Sequence, residues 1–289
     1  MSYWMVLEVS LILFLPFLIN NKFGFELSIK YFLVQAMGSF LLIYFFILRF
    51  KRMTSLLFIL CFKIGLAPFY VWVLFIITKM DWGRVFFFFS LLKFIPFTIF
   101  TRLSISGEGI IFLAVLNRLL GGVGGLGCLC LRKLMVYSSL GHSAWVLVCL
   151  RQLNFLWLEY YLVYCLIFFC FCYIAFLGEY YHCADIGGVG SFGRGFSVLI
   201  VCLRGLPPFR VFIIKVCVLL RLSITGGRIY IFFLLIFSLL TLRYYLRLRI
   251  NRYIFCSYHK ITKKFNSKIS LPFYLFLIVN FFCYYIALI

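Results

Sequence analysis

Two lysines in apolar surroundings carry the most reactive chemistry this sequence offers. Lys63 lies in the run spanning residues 56–72, and Lys93 in the run spanning residues 85–97. Neither is near a segment end from which it could reach the headgroups. An ionisable side chain in mid-membrane costs roughly 3 kcal/mol on insertion scales, so it faces a polar interior and a partner. Gly65 and Pro68 follow Lys63 closely, and Pro96 follows Lys93. In a membrane helix such residues loosen the hydrogen-bond ladder where protein or water can satisfy it again. A third segment has the same character: Arg204-Gly205-Leu206-Pro207-Pro208 is followed by Lys215. Glu8, near the start of the first apolar run, has two readings. It is an acid at the surface of a helix end, or the counter-ion of a buried lysine. His142 reads as a lone histidine bonded to a neighbouring helix, or as a proton relay with an unperturbed pKa of about 6.5.

The elements that hold these residues follow from composition. The 289 residues are 66% hydrophobic, 22% aromatic and 12% charged, with a mean hydropathy of +1.14, which excludes a soluble domain. The net charge of +21 would suggest nucleic acid on a soluble face. Here the bases lie mostly between apolar spans, where they orient the chain and meet anionic headgroups. A span takes roughly 20 apolar residues, and that rule yields an all-α integral membrane protein of about ten transmembrane helices. They cover about 3–20, 28–49, 53–78, 84–103, 109–130, 134–151, 155–178, 195–220, 228–249 and 270–289. No alternating ten-residue pattern of a β-barrel is present. The bases are denser on the side that holds Lys22, Lys79, Arg132 and the cluster from Arg243 to Lys268. That side is expected to face the cytoplasm or matrix, with both termini opposite.

The two spans interrupted by Gly and Pro, 53–78 and 195–220, stand five positions apart. Paired interruptions of this kind mark an inverted-repeat transporter. Repeat units of five helices fit this spacing.

Other signals are weaker. The 12 cysteines have no paired metal-ligand spacing and read as buried apolar filler. The G-x-G-x-x-G match at 188–193 follows no strand and lies between spans, so it reads as a flexible loop. The glycines from Gly121 to Gly127 lack the Lys-Ser/Thr of a phosphate loop and read as close helix contacts. No cleavable signal peptide or arginine-rich transit sequence is visible.

Several segments together resemble chain 2 of mitochondrial NADH:ubiquinone oxidoreductase (respiratory complex I), a family of antiporter-like membrane-arm subunits. They are residues 4–16 with Glu8, Ile29-Lys30-Tyr31-Phe32-Leu33-Val34-Gln35-Ala36, Phe62-Lys63-Ile64-Gly65-Leu66-Ala67-Pro68-Phe69, Lys93-Phe94-Ile95-Pro96, residues 131–142, and Gly205-Leu206-Pro207-Pro208 with Lys215. The resemblance implies a row of mid-membrane charges for proton transfer. Glu8 matches the acid that partners Lys63 on the first broken helix, Lys93 the central lysine, and Lys215 the distal lysine on the second broken helix. Lys133 and His142 match polar residues near the linking region. The organisation that the resemblance implies is a truncated first antiporter-like repeat (1–103), a second antiporter-like repeat (104–250), and a basic loop with a C-terminal transmembrane helix (251–289).

The resemblance also implies a place in the mitochondrial inner membrane, multi-pass, with both termini in the intermembrane space. Partners would be other complex I membrane-arm and accessory subunits and lipids such as cardiolipin, with no nucleic acid. No cofactor or metal is expected in this chain; FMN, iron–sulfur clusters and ubiquinone belong elsewhere in such a complex. The function implied is proton translocation coupled to electron transfer from NADH to ubiquinone, as a subunit of that enzyme. Two alternatives stand beside it: a stand-alone cation/proton antiporter, and a structural subunit with a decayed channel. The sequence departs from the family pattern after Pro68, where Tyr70, Leu74 and Phe75 replace a His, a Pro and an acid. It departs again at Val211, where the family carries Gly.

Overall fold

The computed structural model describes residues 2–19, 24–47, 53–102, 107–152, 155–183, 185, 191–207, 209–224 and 227–259. Among these residues every regular element is a helix, apart from an isolated antiparallel bridge between Cys130 and His182. In chain order they are α1 (Ser2–Ile19), α2 (Gly24–Ile47), α3 (Met53–Ile64), α4 (Val71–Ile77), α5 (Trp82–Arg102) and α6 (Gly107–Leu126). Then come α7 (Leu131–Gln152), α8 (Leu156–Leu177), α9 (Ser191–Arg204), α10 (Arg210–Ile224) and α11 (Arg228–His259). Helix is the form in which an apolar segment satisfies its own backbone without water.

Among the described residues six helices are long and apolar enough to cross a membrane: α2, α5, α6, α7, α8 and α11. The sequence expectation of about ten counted whole apolar runs, and the difference has local causes. The apolar part of α1, Trp4–Ile19, is short of the length. The runs at 53–78 and 195–220 each divide into two short helices, α3 with α4 and α9 with α10. The run at 270–289 lies outside the described residues. So do Gly188–Gly190 of the glycine motif, whose second half opens α9 instead of remaining a loop.

Helix α7 is the centre of the bundle. It packs against α4, α5, α6, α8 and α10, and 83% of its span is buried, against 33% for α2 and 22% for α11. It is also a polar span, carrying buried Ser138, Ser139, His142 and Ser143. In a bilayer the pattern inverts: polar side chains turn to other helices, while α2 leaves Phe25, Phe32, Met37, Phe40 and Ile47 exposed. Two glycines of α6 let its neighbours close in. A β-carbon on Gly121 would lie 2.7 Å from Tyr137 O of α7, and one on Gly125 2.6 Å from the Tyr244 ring of α11.

One end of the bundle is tied by basic side chains to free carbonyls. Arg132 Nη1 donates to Thr78 O at 2.7 Å, and Arg247 donates to Leu126 O and Cys128 O, each at 2.6 Å. Lys79 pairs with Glu26 at 2.8 Å. The ends of α2, α4, α6 and α7 and the body of α11 are thereby tied by charge-assisted hydrogen bonds.

Candidate functional site

The gap between α3 and α4 is built from the backbone outward. Gly65 has φ +71°, and its N–H donates to Phe62 O at 3.2 Å, while Leu66 N donates to Cys61 O at 2.9 Å. These are the paired bonds of a Schellman C-cap, which places glycine where L-residues are strained. Side chains add to the capping of the last turn. Gln35 Nε2 donates to Lys63 O at 3.0 Å, and Trp72 Nε1 donates to Phe62 O at 3.2 Å. Beyond the cap, Ala67 N donates to Asn117 Oδ1 of α6 at 2.9 Å, and Asn117 Nδ2 is held by Leu113 O at 2.8 Å. The chain thus leaves helical geometry in the bundle interior with its polar groups met by its neighbours.

The gap between α9 and α10 has the same design with a different donor. Gly205 has φ +68° and its N–H donates to Cys202 O at 2.9 Å. Lys215 Nζ reaches back to Arg204 O at 2.8 Å, so an amine caps the last turn of α9. Val211, where the family pattern has glycine, is buried and packs against the Gly205 turn.

The first turn-out brings an acid and two amines together. Lys63 Nζ lies 3.4 Å from Glu8 Oε1, with the lysine side chain 1% exposed and the glutamate 23% exposed. Lys93 is buried on α5. Its Nζ donates to Ser139 Oγ of α7 at 3.2 Å and stands 4.9 Å from the Phe89 ring centroid. Between the two lysines is a cavity of about 20 Å³, lined by Lys63, Lys93, Gln35, Tyr31, Ser10 and Trp72. A water needs roughly 10–15 Å³ and two or more polar partners, so this space is large enough for one.

Past Lys93 the polar groups continue along α7. Ser139 Oγ donates to Val136 O at 2.8 Å, and one turn on, buried His142 has Nδ1 2.9 Å from Tyr160 OH and its ring 4.6 Å from Tyr164. Lys215 faces the same helix, its Nζ 5.6 Å from the Trp145 ring centroid. Lys133, in contrast, is exposed in the first turn of α7 and stands apart from this group. Glu8, Lys63, Lys93, His142 and Lys215 therefore lie on a single set of packed helices, α1–α3–α5–α7–α10. Gln35, Trp72, Asn117, Arg118 and Tyr160 join them without having been singled out by type or spacing. Arg118 did carry a signal, because a charge lies there between Leu116 and Leu119 in an apolar run.

Among the described residues no group of three or more His, Cys, Asp and Glu is placed to hold a metal ion. The chemistry on view is proton binding by amines, a carboxylate and an imidazole.

No protein-family model matches the chain. Solved structures share its fold. A chain of respiratory complex I from Thermus thermophilus aligns with a TM-score of 0.74 at 21% identity, over 86% of this chain and 64% of that one. A chain of the Mrp complex from Dietzia sp. aligns with a TM-score of 0.76 at 16% identity, over 85% and 55%. Among sequences, NADH-ubiquinone oxidoreductase chain 2 of Anopheles gambiae is 28% identical over 92% of this chain and 84% of its own length. The same protein of Artemia franciscana is 30% identical over 73% and 70%. With that identity across more than two thirds of both chains, and the fold of a complex I membrane subunit, the chain belongs to the NADH-ubiquinone oxidoreductase chain 2 family.

Proposed function

We propose that this chain is a proton-translocating membrane-arm subunit of respiratory complex I in the mitochondrial inner membrane. In this reading it couples electron transfer from NADH to ubiquinone, carried out elsewhere in the complex, to proton movement along Glu8, Lys63, Lys93 and Lys215, with His142 between the last two. The observation that carries it is the water-sized cavity that both Lys63 and Lys93 line, next to the Glu8–Lys63 ion pair. A change in that pair alters the field at Lys93. Opposite charge keeps a lysine protonated, whereas a like charge or loss of solvation favours its neutral form. Water in the cavity supplies the hydrogen-bonded step between the two amines. The paired helix interruptions at Gly65 and Gly205 support two antiporter-like repeats, 1–103 and 104–250, followed by the segment 251–289. Each pair of short helices, α3 with α4 and α9 with α10, then makes one broken crossing. Both termini face the intermembrane space, and neighbouring membrane-arm subunits and lipids such as cardiolipin cover the apolar outer faces.

The test is Lys93→Met in the assembled complex, reconstituted in vesicles, with NADH oxidation and proton translocation measured together. The expected result is a lowered proton-to-electron ratio. An unchanged ratio in an assembled variant removes Lys93 from the path and leaves the structural-subunit reading.

A further inference from the structure

Arg118 stands in the middle of α6, 5% exposed, and no carboxylate pairs with it among the described residues. Its Nη2 donates to Thr241 Oγ1 of α11 at 3.2 Å, and its Nε has no protein acceptor there. The guanidinium carbon lies 5.8 Å from the Trp145 ring centroid. Room for it is made by Gly141 on α7: a β-carbon at that position would be 2.6 Å from Arg118 Nη1. Gly141 adjoins His142, and Trp145 is the ring that also meets Lys215 Nζ at 5.6 Å. A missing β-carbon, a hydroxyl and an indole from two neighbouring helices thus seat one cation beside the distal lysine. Charges around it are few. Arg118 is faced by Tyr160, Tyr244 and Tyr245, and Lys215 by Arg118 and Arg204.

A buried charge without a counter-ion is costly to keep, and a guanidinium does not give up its proton in a protein. It therefore cannot relay protons. What it supplies is a stationary field in a medium where charges act strongly.

We propose that Arg118 is the fixed positive charge that expels the proton from Lys215. The proposal rests on the reading of Lys93 and Lys215 as proton carriers. A proton that arrives at Lys215 is met by a like charge across the Trp145 site, so it does not stay. Arg118 is a positioning residue for the transfer and no carrier itself.

The experiment compares Arg118→Met, Arg118→Lys, Thr241→Val and Gly141→Ala in the assembled complex, with Lys215→Met alongside. Each is assayed for NADH oxidation with a soluble acceptor and for the proton-to-electron ratio in vesicles. Arg118→Met is expected to lose as much of the ratio as Lys215→Met, while Arg118→Lys and Thr241→Val keep it. Gly141→Ala, which pushes the guanidinium aside without removing it, is expected to give a partial loss. That variant also decides the matter should Arg118→Met fail to assemble. A full ratio in Arg118→Met or Gly141→Ala overturns the proposal. So does a loss in Thr241→Val equal to that of Arg118→Met, since the arginine would then only fasten α6 to α11. A full ratio in Lys215→Met overturns the underlying reading instead.

Discussion

Glu8 is the residue whose meaning changes most between the chain and the fold. Its place near a helix start allowed a surface acid or a counter-ion, and 3.4 Å from Lys63 Nζ it is a partner. Removing one member of a buried pair leaves an uncompensated charge and costs about 3–5 kcal/mol, whereas removing both costs far less. Glu8 is partly exposed, so the lower end of that range applies. Glu8→Gln is accordingly expected to destabilise the assembled membrane arm by about 3 kcal/mol, and Glu8→Gln with Lys63→Met to recover most of it. Thermal inactivation midpoints of the two variants check this, and equal losses in both would dissociate the pair. The lysines were legible because a charge deep in an apolar run has few bland explanations. Gln35 and Asn117 were not, since an amide in a membrane helix is ordinary interhelical glue. Only the fold shows that one holds Lys63 O and the other the N–H of Ala67.

At the scale of elements, Gly and Pro announced the two interruptions, but the side chains that cap the first come from α2 and α6 and the one that caps the second from α10. Gly65 has positive φ, and a β-carbon there would lie 2.2 Å from Val73 Cγ2. Gly65→Ala should therefore cost at least the roughly 1–2 kcal/mol of the left-handed conformation. Gly83, in the first turn of α5 with no heavy atom within 4 Å of its β-position, is the control: Gly83→Ala should be neutral or gain up to about 1 kcal/mol. Asn117→Ala, which orphans the buried Ala67 N–H, should cost about 1–3 kcal/mol. Heat-inactivation curves of the three variants rank them, and a harmless Asn117→Ala would show that the α3–α4 turn needs no cap. The count of spans was the least legible feature. Apolar composition runs straight through Gly65 and Gly205, while the hydrogen-bond ladder stops there.

For the whole molecule, the basic end supplies an orientation test. Cys130 is half-buried on the α6–α7 connection, 3.7 Å from His182 Nδ1. Cys183, which follows His182 on the other side of the bridge, is 3% exposed, and burial pushes its thiol up to about 11. The thiolate is the reactive form, so a membrane-impermeant maleimide applied from the more basic side at neutral pH should label Cys130 and spare Cys183. Labelling of Cys130 only from the other side would invert the orientation. The reliance of one half of the bundle on the other also has a consequence for how the chain is made. The N–H of Ala67 is capped by a side chain 50 residues downstream. At roughly 5–20 residues per second that cap is about 2–10 s away when the first turn leaves the ribosome. Through that interval the nascent segment holds an unmet polar group and a buried lysine inside lipid. The insertion machinery, or a neighbouring subunit already in the membrane, must shelter it until α6 is synthesised.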